Sequence, residues 1–186
     1  RVCAAVFRYG VAHGLLIRNP AEEVKTTDFM KSYEKKNHAR ITKEQLPDFL
    51  TKVDAYPGGS LTRLAMKLMG LTFIRTGEFI GSKWSEVDFD NALWRIPGHR
   101  MKVKTKDAHL VPLSRQAIET LRALQVISGN RKYIFPGERD PVNKHMSNNT
   151  ILAGINRIGY KGIMTGHGYR GLATTVLREA NFEEDH

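Results

Sequence analysis

Val87-Asp88-Phe89-Asp90-Asn91-Ala92-Leu93-Trp94-Arg95-Ile96-Pro97 is where the helical rhythm of this chain breaks. Two short runs, Val87-Asp88-Phe89 and Ala92-Leu93-Trp94-Arg95-Ile96-Pro97, flank the turn pair Asp90-Asn91 and predict a hairpin. His109-Leu110-Val111-Pro112 predicts a third strand. The stretch Arg100-Met101-Lys102-Val103-Lys104-Thr105-Lys106 is then the turn between strands two and three. On either side the apolar residues recur with a period near 3.6. The fold class is therefore mainly α with a small three-stranded antiparallel β-sheet.

Upstream of the hairpin, residues 60–74 predict an apolar helix through Leu61, Leu64, Ala65, Leu68 and Leu71, with Arg75 at its end. Residues 78–85 predict a further short helix. Thr42 and Gln45 form a capping box with Ile41 and Leu46 at the staple positions, opening a helix whose apolar face is Leu46, Phe49, Leu50 and Val53. Pro47 is awkward in that helix and shifts its true start. Downstream, Ser114 caps a helix carrying Ile118, Leu121, Leu124 and Ile127, which Gly129-Asn130 ends. Ser147 caps another, with Ile151, Leu152, Ile155 and Ile158 on one face. A last helix runs from about Arg170 to Ala180, with Asn181 as a left-handed cap. Trp84 and Trp94 are assigned to the core.

At the other end, residues 1–18 read as the end of a helix stopped by Asn19-Pro20, with Gly10 and Gly14 as weak points. Residues 25–40 are polar and charged, with Lys35-Lys36-Asn37-His38 at their centre, and read as a linker. The chain opens with Arg rather than Met and runs at once into helical pattern, as an internal piece of a longer protein would. One cysteine excludes an internal disulfide framework, and Cys3 is expected as a small buried hydrophobe.

Of 186 residues, 29 are Lys or Arg and 19 are Asp or Glu, a formal charge of +10. That balance favours a polyanionic partner such as nucleic acid over an acidic-tract function. At 41% hydrophobic residues the chain can bury a sizeable core. No apolar run reaches the roughly 20 residues of a membrane span, so no membrane partner is expected.

Four residue types could grip and transform a phosphodiester. Arginine donates to two phosphate oxygens at once through its planar fork, and Arg75 and Arg170 each open a helix beside a turn. His167 titrates near neutral pH and sits three residues before Arg170, so both can share a helix start, which favours anions. Glu78, three residues after Arg75, can reach back to orient it. Lys102, Lys104 and Lys106 could contact DNA or protonate a leaving oxygen, and Arg100 could contact the DNA backbone. Taken singly, each also reads as an ordinary surface cation or structural histidine. The remaining histidines lack metal-ligand spacing. Gly77 and Gly166-Gly168 lack the Lys-Ser/Thr of a phosphate-cradling P-loop.

Leu71-Thr72-Phe73-Ile74-Arg75-Thr76-Gly77-Glu78, Trp84-Ser85-Glu86-Val87-Asp88-Phe89, Trp94-Arg95-Ile96-Pro97, Val111-Pro112-Leu113-Ser114, Tyr133-Ile134-Phe135-Pro136 and Thr165-Gly166-His167-Gly168-Tyr169-Arg170 resemble, in this order, the tyrosine recombinases. They are most similar to the phage-type integrases of the P4-like group. The resemblance implies the tyrosine recombinase catalytic-domain fold over residues 41–186, C-terminally incomplete, with residues 1–24 as the last helix of a core-binding domain and 25–40 as linker. It implies site-specific DNA recombination, the integration and excision of a prophage or other mobile element. Arg75, His167 and Arg170 would hold the scissile phosphate, with Glu78 behind Arg75. A hairpin lysine would be general acid: counting forward from Arg95-Ile96-Pro97 favours Lys102, counting back from Val111-Pro112 favours Lys104. No cofactor and no metal is implied.

The implied partners are double-stranded DNA attachment sites, further recombinase protomers in a DNA-bound tetramer, and DNA-bending and directionality factors. The implied location is the bacterial cytoplasm, on the nucleoid. The family's nucleophilic tyrosine follows the second arginine by some tens of residues. Tyr133, Tyr160 and Tyr169 precede that place and His186 falls too early for the box before it, so this chain is expected to hold no nucleophile. The alternative is a non-catalytic DNA-binding module on the same fold.

Overall fold

The computed structural model describes residues 2–23, 38–101 and 106–182. They divide into two compact units, Arg1–Asn37 and His38–His186. In the first unit, α1 (Val2–Ala12) ends earlier than the periodicity suggests. Gly14 adopts a left-handed φ of 69°, and the amides of Leu15 and Leu16 turn back to the Gly10 carbonyl at 2.8 and 3.3 Å. Glycine tolerates that conformation at no steric cost, so it ends the helix. Asn19-Pro20 opens α2 (Pro20–Glu23) instead of stopping α1. Asn19 Oδ1 accepts from the Ala21 amide at 3.1 Å, and proline needs no donor in a first turn. Cys3 is exposed, contrary to its expected burial, because α1 buries only Gly10.

The second unit is an α-helical body with one small sheet. It runs α3 (Leu46–Asp54), α4 (Ser60–Thr72), α5 (Thr76–Ile80), β1 (Val87–Asp88), β2 (Leu93–Ile96), β3 (His109–Pro112), α6 (Arg115–Ser128), α7 (Asn148–Ile155) and α8 (Gly168–Glu179). Only half of the expected capping box forms: the Thr42 amide donates to Gln45 Oε1 at 3.0 Å. The helix itself starts at Leu46, which puts Pro47 in the first turn. Phe49 and Val53 face the core, whereas Leu50, expected on the same face, is 40% exposed. The four positions share one side of the helix, within about 100° of arc, but Leu50 stands at the edge of that side, where it lines an open apolar pocket with Leu46, Tyr169 and Leu177.

The sheet is antiparallel in the order β1-β2-β3, with Trp94 opposite Val87 on one side and Val111 on the other. Trp94 and Ile96 are fully buried, and Arg95 between them points outward, as a period of two requires. Ala92, rather than Asn91, takes the positive φ of 50° in the hairpin turn. Asp88 instead holds Asn91 through its amide and side chain at 3.0 and 2.8 Å. Phe79 stacks on Phe135 at 4.4 Å, which ties α5 to the chain after α6. Ser114 and Ser147 cap α6 and α7 by accepting from the amides of Ala117 and Asn149. After α7 the helix widens into a π turn, Asn156–Tyr160, broken at Gly159 with φ 91°.

α8 is placed by three close approaches. Tyr169 packs edge-on to Phe49 at 5.7 Å and lies so near Gly70 that a Cβ there would be 3.2 Å from its ring. A Cβ on Gly168 would lie 2.6 Å from the Ala39 carbonyl oxygen. Thr165 Oγ1 donates to that same carbonyl at 3.3 Å. Thus His38, Ala39 and Arg40, which composition assigns to the linker, belong to the second unit and pack on the start of α8. Asn181 ends α8 with φ 59°.

Gly168→Ala is expected to destabilise the fold by roughly 1–3 kcal/mol, because a backbone oxygen has little room to retreat. Tyr169→Phe is expected to change stability by about 1 kcal/mol or less, and upward, because its buried hydroxyl has no hydrogen-bond partner among the described residues. Urea unfolding of both variants checks the pair: a neutral Gly168→Ala would remove the close approach, and a strongly destabilised Tyr169→Phe would reveal a hydroxyl partner.

Candidate active site

The site begins with a turn. Phe73 ends α4 in the left-handed conformation (φ 52°, ψ 21°), its amide donating to Met69 O at 3.0 Å. A bulky residue rarely takes that conformation unless its surroundings hold it. Here Ile74 beside it is 1% exposed, and the Phe73 carbonyl accepts from Arg170 Nη1 at 2.9 Å. Arg75 follows in an extended conformation as the cap of α5, its carbonyl accepting from the Phe79 amide at 2.8 Å. Its side chain lies over Glu78, Nη1 to Oε1 at 3.1 Å. Glu78 is 3% exposed and Arg75 37%, so a buried carboxylate backs a guanidinium that still reaches solvent.

The other half is the loop Thr165-Gly166-His167 and the first turn of α8. Thr165 Oγ1 accepts from the Gly168 amide at 3.0 Å. A Cβ on Gly166 would sit 2.6 Å from Thr76 Oγ1, so the loop reaches the start of α5 only because residue 166 is glycine. His167 caps α8, and Arg170 reaches from the next turn back to Phe73. One open pocket of about 620 Å³ is lined by Arg75, Thr76, Glu78, Arg100, Asn148, Asn149 and His167, among others. Arg170 is held below the usual arginine range, first by burial and then by the charge of Arg75, with Glu78 opposing both. Two guanidiniums that repel one another beside an exposed histidine make a site for an oxyanion, which would bridge them and offset the repulsion.

The structure therefore brings Arg75, Glu78 and His167 to one pocket, and fixes Arg170, which does not line that pocket, to the Phe73 turn beside it. Lys102 and Lys104 lie outside the described residues. Lys106 is exposed and does not line the pocket. Arg100, expected on a flexible turn, instead folds back into the pocket wall. Its side chain is 18% exposed, with Nη2 2.7 Å from Glu86 Oε2 and 3.4 Å from Ser82 Oγ. Burial raises the Glu86 carboxyl above its usual range, and Arg100 offsets part of that. Sequence reasoning missed Glu86, although the apolar residues flanking it marked it as a carboxylate near the core. It also missed His38, whose ring stacks on His167 at 4.7 Å.

Two tyrosines have hydroxyls that are engaged or buried. Tyr160 Oη donates to Asp48 Oδ2 at 2.6 Å, and burial followed by that carboxylate pushes its pKa up to about 12. Burial alone pushes Tyr169 up. Among the described residues no three His, Cys, Asp or Glu side chains gather as metal ligands would, and no helix is long and apolar enough to cross a membrane.

Comparison with known proteins returns the same pattern. The model of the phage integrase family matches residues 39–185. The chain is 36% identical to the integrase of Enterobacteria phage P4 over 193 aligned residues, covering 97% of this chain and 43% of the relative. It is 34% identical to the integrase of Shigella phage Sf6, covering 100% of this chain and 47% of that protein. The chain thus spans less than half the length of these relatives. Among solved structures, a Tn1549 transposon integrase in complex with a circular intermediate DNA superposes with a TM-score of 0.72 at 14% identity, over 97% of this chain and 65% of that one. A lambda integrase tetramer bound to a Holliday junction superposes at 0.65 with 20% identity, over 95% and 52%. These two show the shared fold.

Glu86 yields a pH prediction. Its carboxyl is raised in the folded state, so the native chain holds that proton more tightly than the unfolded chain. The stability contributed by this group is full below the ordinary carboxylate value of about 4.3 and is lost as pH rises through the raised value. Glu86→Gln removes the titration. The stability of the wild type minus that of the variant should therefore fall as pH rises from about 4 and then flatten. A difference that rises over that window would mean that Arg100 attracts the carboxylate more than burial penalises it.

Proposed function

The chain belongs to the phage integrase family, and from that premise we propose that it is most of the catalytic domain of a site-specific tyrosine recombinase that integrates and excises a prophage-type element. The observation that carries this reading is the Phe73 turn, whose carbonyl holds Arg170 near Arg75 on its buried Glu78, with His167 lining the Arg75 pocket. Mere attraction to DNA needs scattered positive charge, not two cations forced together.

In this reading Arg75 and Arg170 each donate to non-bridging oxygens of the scissile phosphate and hold the charge that grows in its five-coordinate transition state. Glu78 fixes Arg75 in place, and the Phe73 carbonyl fixes Arg170. His167 donates to a third oxygen. A tyrosine oxygen attacks phosphorus, the bond to the 5′ oxygen breaks, and a hairpin lysine gives that oxygen its proton. Lys102 is our first choice for the acid and Lys104 the second. The 3′-phosphotyrosyl link conserves the bond energy until a 5′ hydroxyl attacks it in turn. The step needs no metal. The attacking tyrosine is assigned, by the resemblance, to a position some tens of residues after Arg170, and Tyr160 and Tyr169, whose hydroxyls are engaged or buried, are not given that role.

The substrate is a double-stranded attachment site on the bacterial nucleoid, and the working assembly is a tetramer of protomers on DNA, with DNA-bending and directionality factors setting its outcome. Residues 1–24 are assigned to the last helix of a core-binding domain. Lys106 contacts the DNA backbone, and Arg100 approaches it from the pocket wall.

The whole protein, incubated with a nicked duplex that releases the 5′ strand on cleavage, should form a covalent DNA adduct. Arg170→Ala should lower the rate of adduct formation by ~10²–10³-fold while leaving salt-sensitive, non-covalent binding. No adduct with binding intact would instead identify a DNA-binding module, and an undiminished adduct in Arg170→Ala would remove that residue from the site.

A further inference from the structure

We infer that His38 is a positioning residue for His167, holding that ring toward the phosphate by stacking on it. The inference rests on the recombinase reading above. The two imidazole rings lie 4.7 Å apart between centroids with their planes 29° from parallel. Both line the same open pocket as Arg75.

The backbone that carries His38 is pinned against the His167 loop. Thr165 Oγ1 donates to the Ala39 carbonyl at 3.3 Å while accepting from the Gly168 amide at 3.0 Å. Gly168 approaches the Ala39 carbonyl so closely that a Cβ would stand 2.6 Å from its oxygen, and a Cβ on Gly171 would stand 2.8 Å from Arg40 Nη1. Residues 38–40 thus lie as a strap across the start of α8. Gly168 and Thr165 hold its backbone at Ala39, which fixes where the neighbouring His38 side chain begins.

There the His38 ring covers one face of the exposed His167 imidazole at the cap of α8. A group that donates to a transferring phosphate must be aligned within hydrogen-bond reach of it. A flat neighbour parallel to the imidazole blocks rotation out of that plane. Its π face suits His167 whether that ring is neutral or protonated. His38 touches no reacting atom in this account, so it should affect the chemical step and leave duplex affinity alone.

The test is single-turnover cleavage of a nicked duplex by the whole protein. His38→Ala should slow adduct formation by roughly tenfold, with the dissociation constant for the duplex within about twofold of wild type. His38→Phe keeps a flat ring and should restore the rate to within about threefold of wild type. A wild-type rate in His38→Ala overturns the proposal. So does a His38→Phe variant as slow as His38→Ala, which would point to the ring nitrogens instead of stacking. If the wild type itself forms no adduct, the recombinase reading fails, and nuclear relaxation of the His167 ring in this chain decides the present inference. Greater ring mobility in His38→Ala than in wild type and His38→Phe supports the strap, and equal mobility in all three overturns it.

Discussion

The left-handed turn at Phe73 is the constraint on which the site depends. It ends α4 one residue before Ile74 enters the core, aims Arg75 out of the start of α5, and offers a carbonyl that Arg170 reaches from α8. A non-glycine residue in that conformation is strained, and the strain persists only where neighbours over-determine it. Buried Ile74 below and the Arg170 hydrogen bond above supply that. The two arginines are therefore coupled: moving α8 would release the turn, and relaxing the turn would let Arg75 swing away from Glu78.

The arrangement is electrostatically incomplete in the free protein. Burial and then the charge of Arg75 lower the proton affinity of Arg170, and Glu78 offsets only part of that. Arg75 is backed by buried Glu78 at 3.1 Å, as Arg100 is by Glu86 at 2.7 Å. Arg170 is held instead by the neutral Phe73 carbonyl. Arg75 and Arg170 thus have Glu78 between them, a balance that an anion would complete. The strap at residues 38–40 brings the His38 ring onto His167 in the same pocket.

Much of this was legible in the sequence where local chemistry decides structure. Ser114 and Ser147 cap their helices as their hydroxyls predict, Trp94 fills the core, and the change of period at Val87 marks the sheet with the correct strand order. The family followed from motif order. The misreadings share one cause, a dependence on tertiary contact or on turn geometry finer than composition. Leu50 and Leu152 have the same pattern as their buried neighbours yet are each 40% exposed, because periodicity does not say how wide a face the partner helix covers. Cys3 is exposed for the same reason. Asn19-Pro20 reads equally as a stop and as a start, and Gly14 ended the helix first. His38 sat in a charged stretch with nothing local to mark it, since its partner is brought to it only when α8 docks. Arg100 looked like a turn residue until the buried Glu86 drew it inward.

The central claim is that the positive charge of Arg75 and Arg170 in excess of Glu78 is a seat for a phosphate. Crystals of the chain soaked in tungstate, a tetrahedral oxyanion with a strong anomalous signal, test it directly. The account predicts an anion within hydrogen-bond reach, about 3 Å, of both guanidinium groups, with His167 at its edge. Tungstate bound at Arg100 or on the outer surface, with none between Arg75 and Arg170, would contradict it.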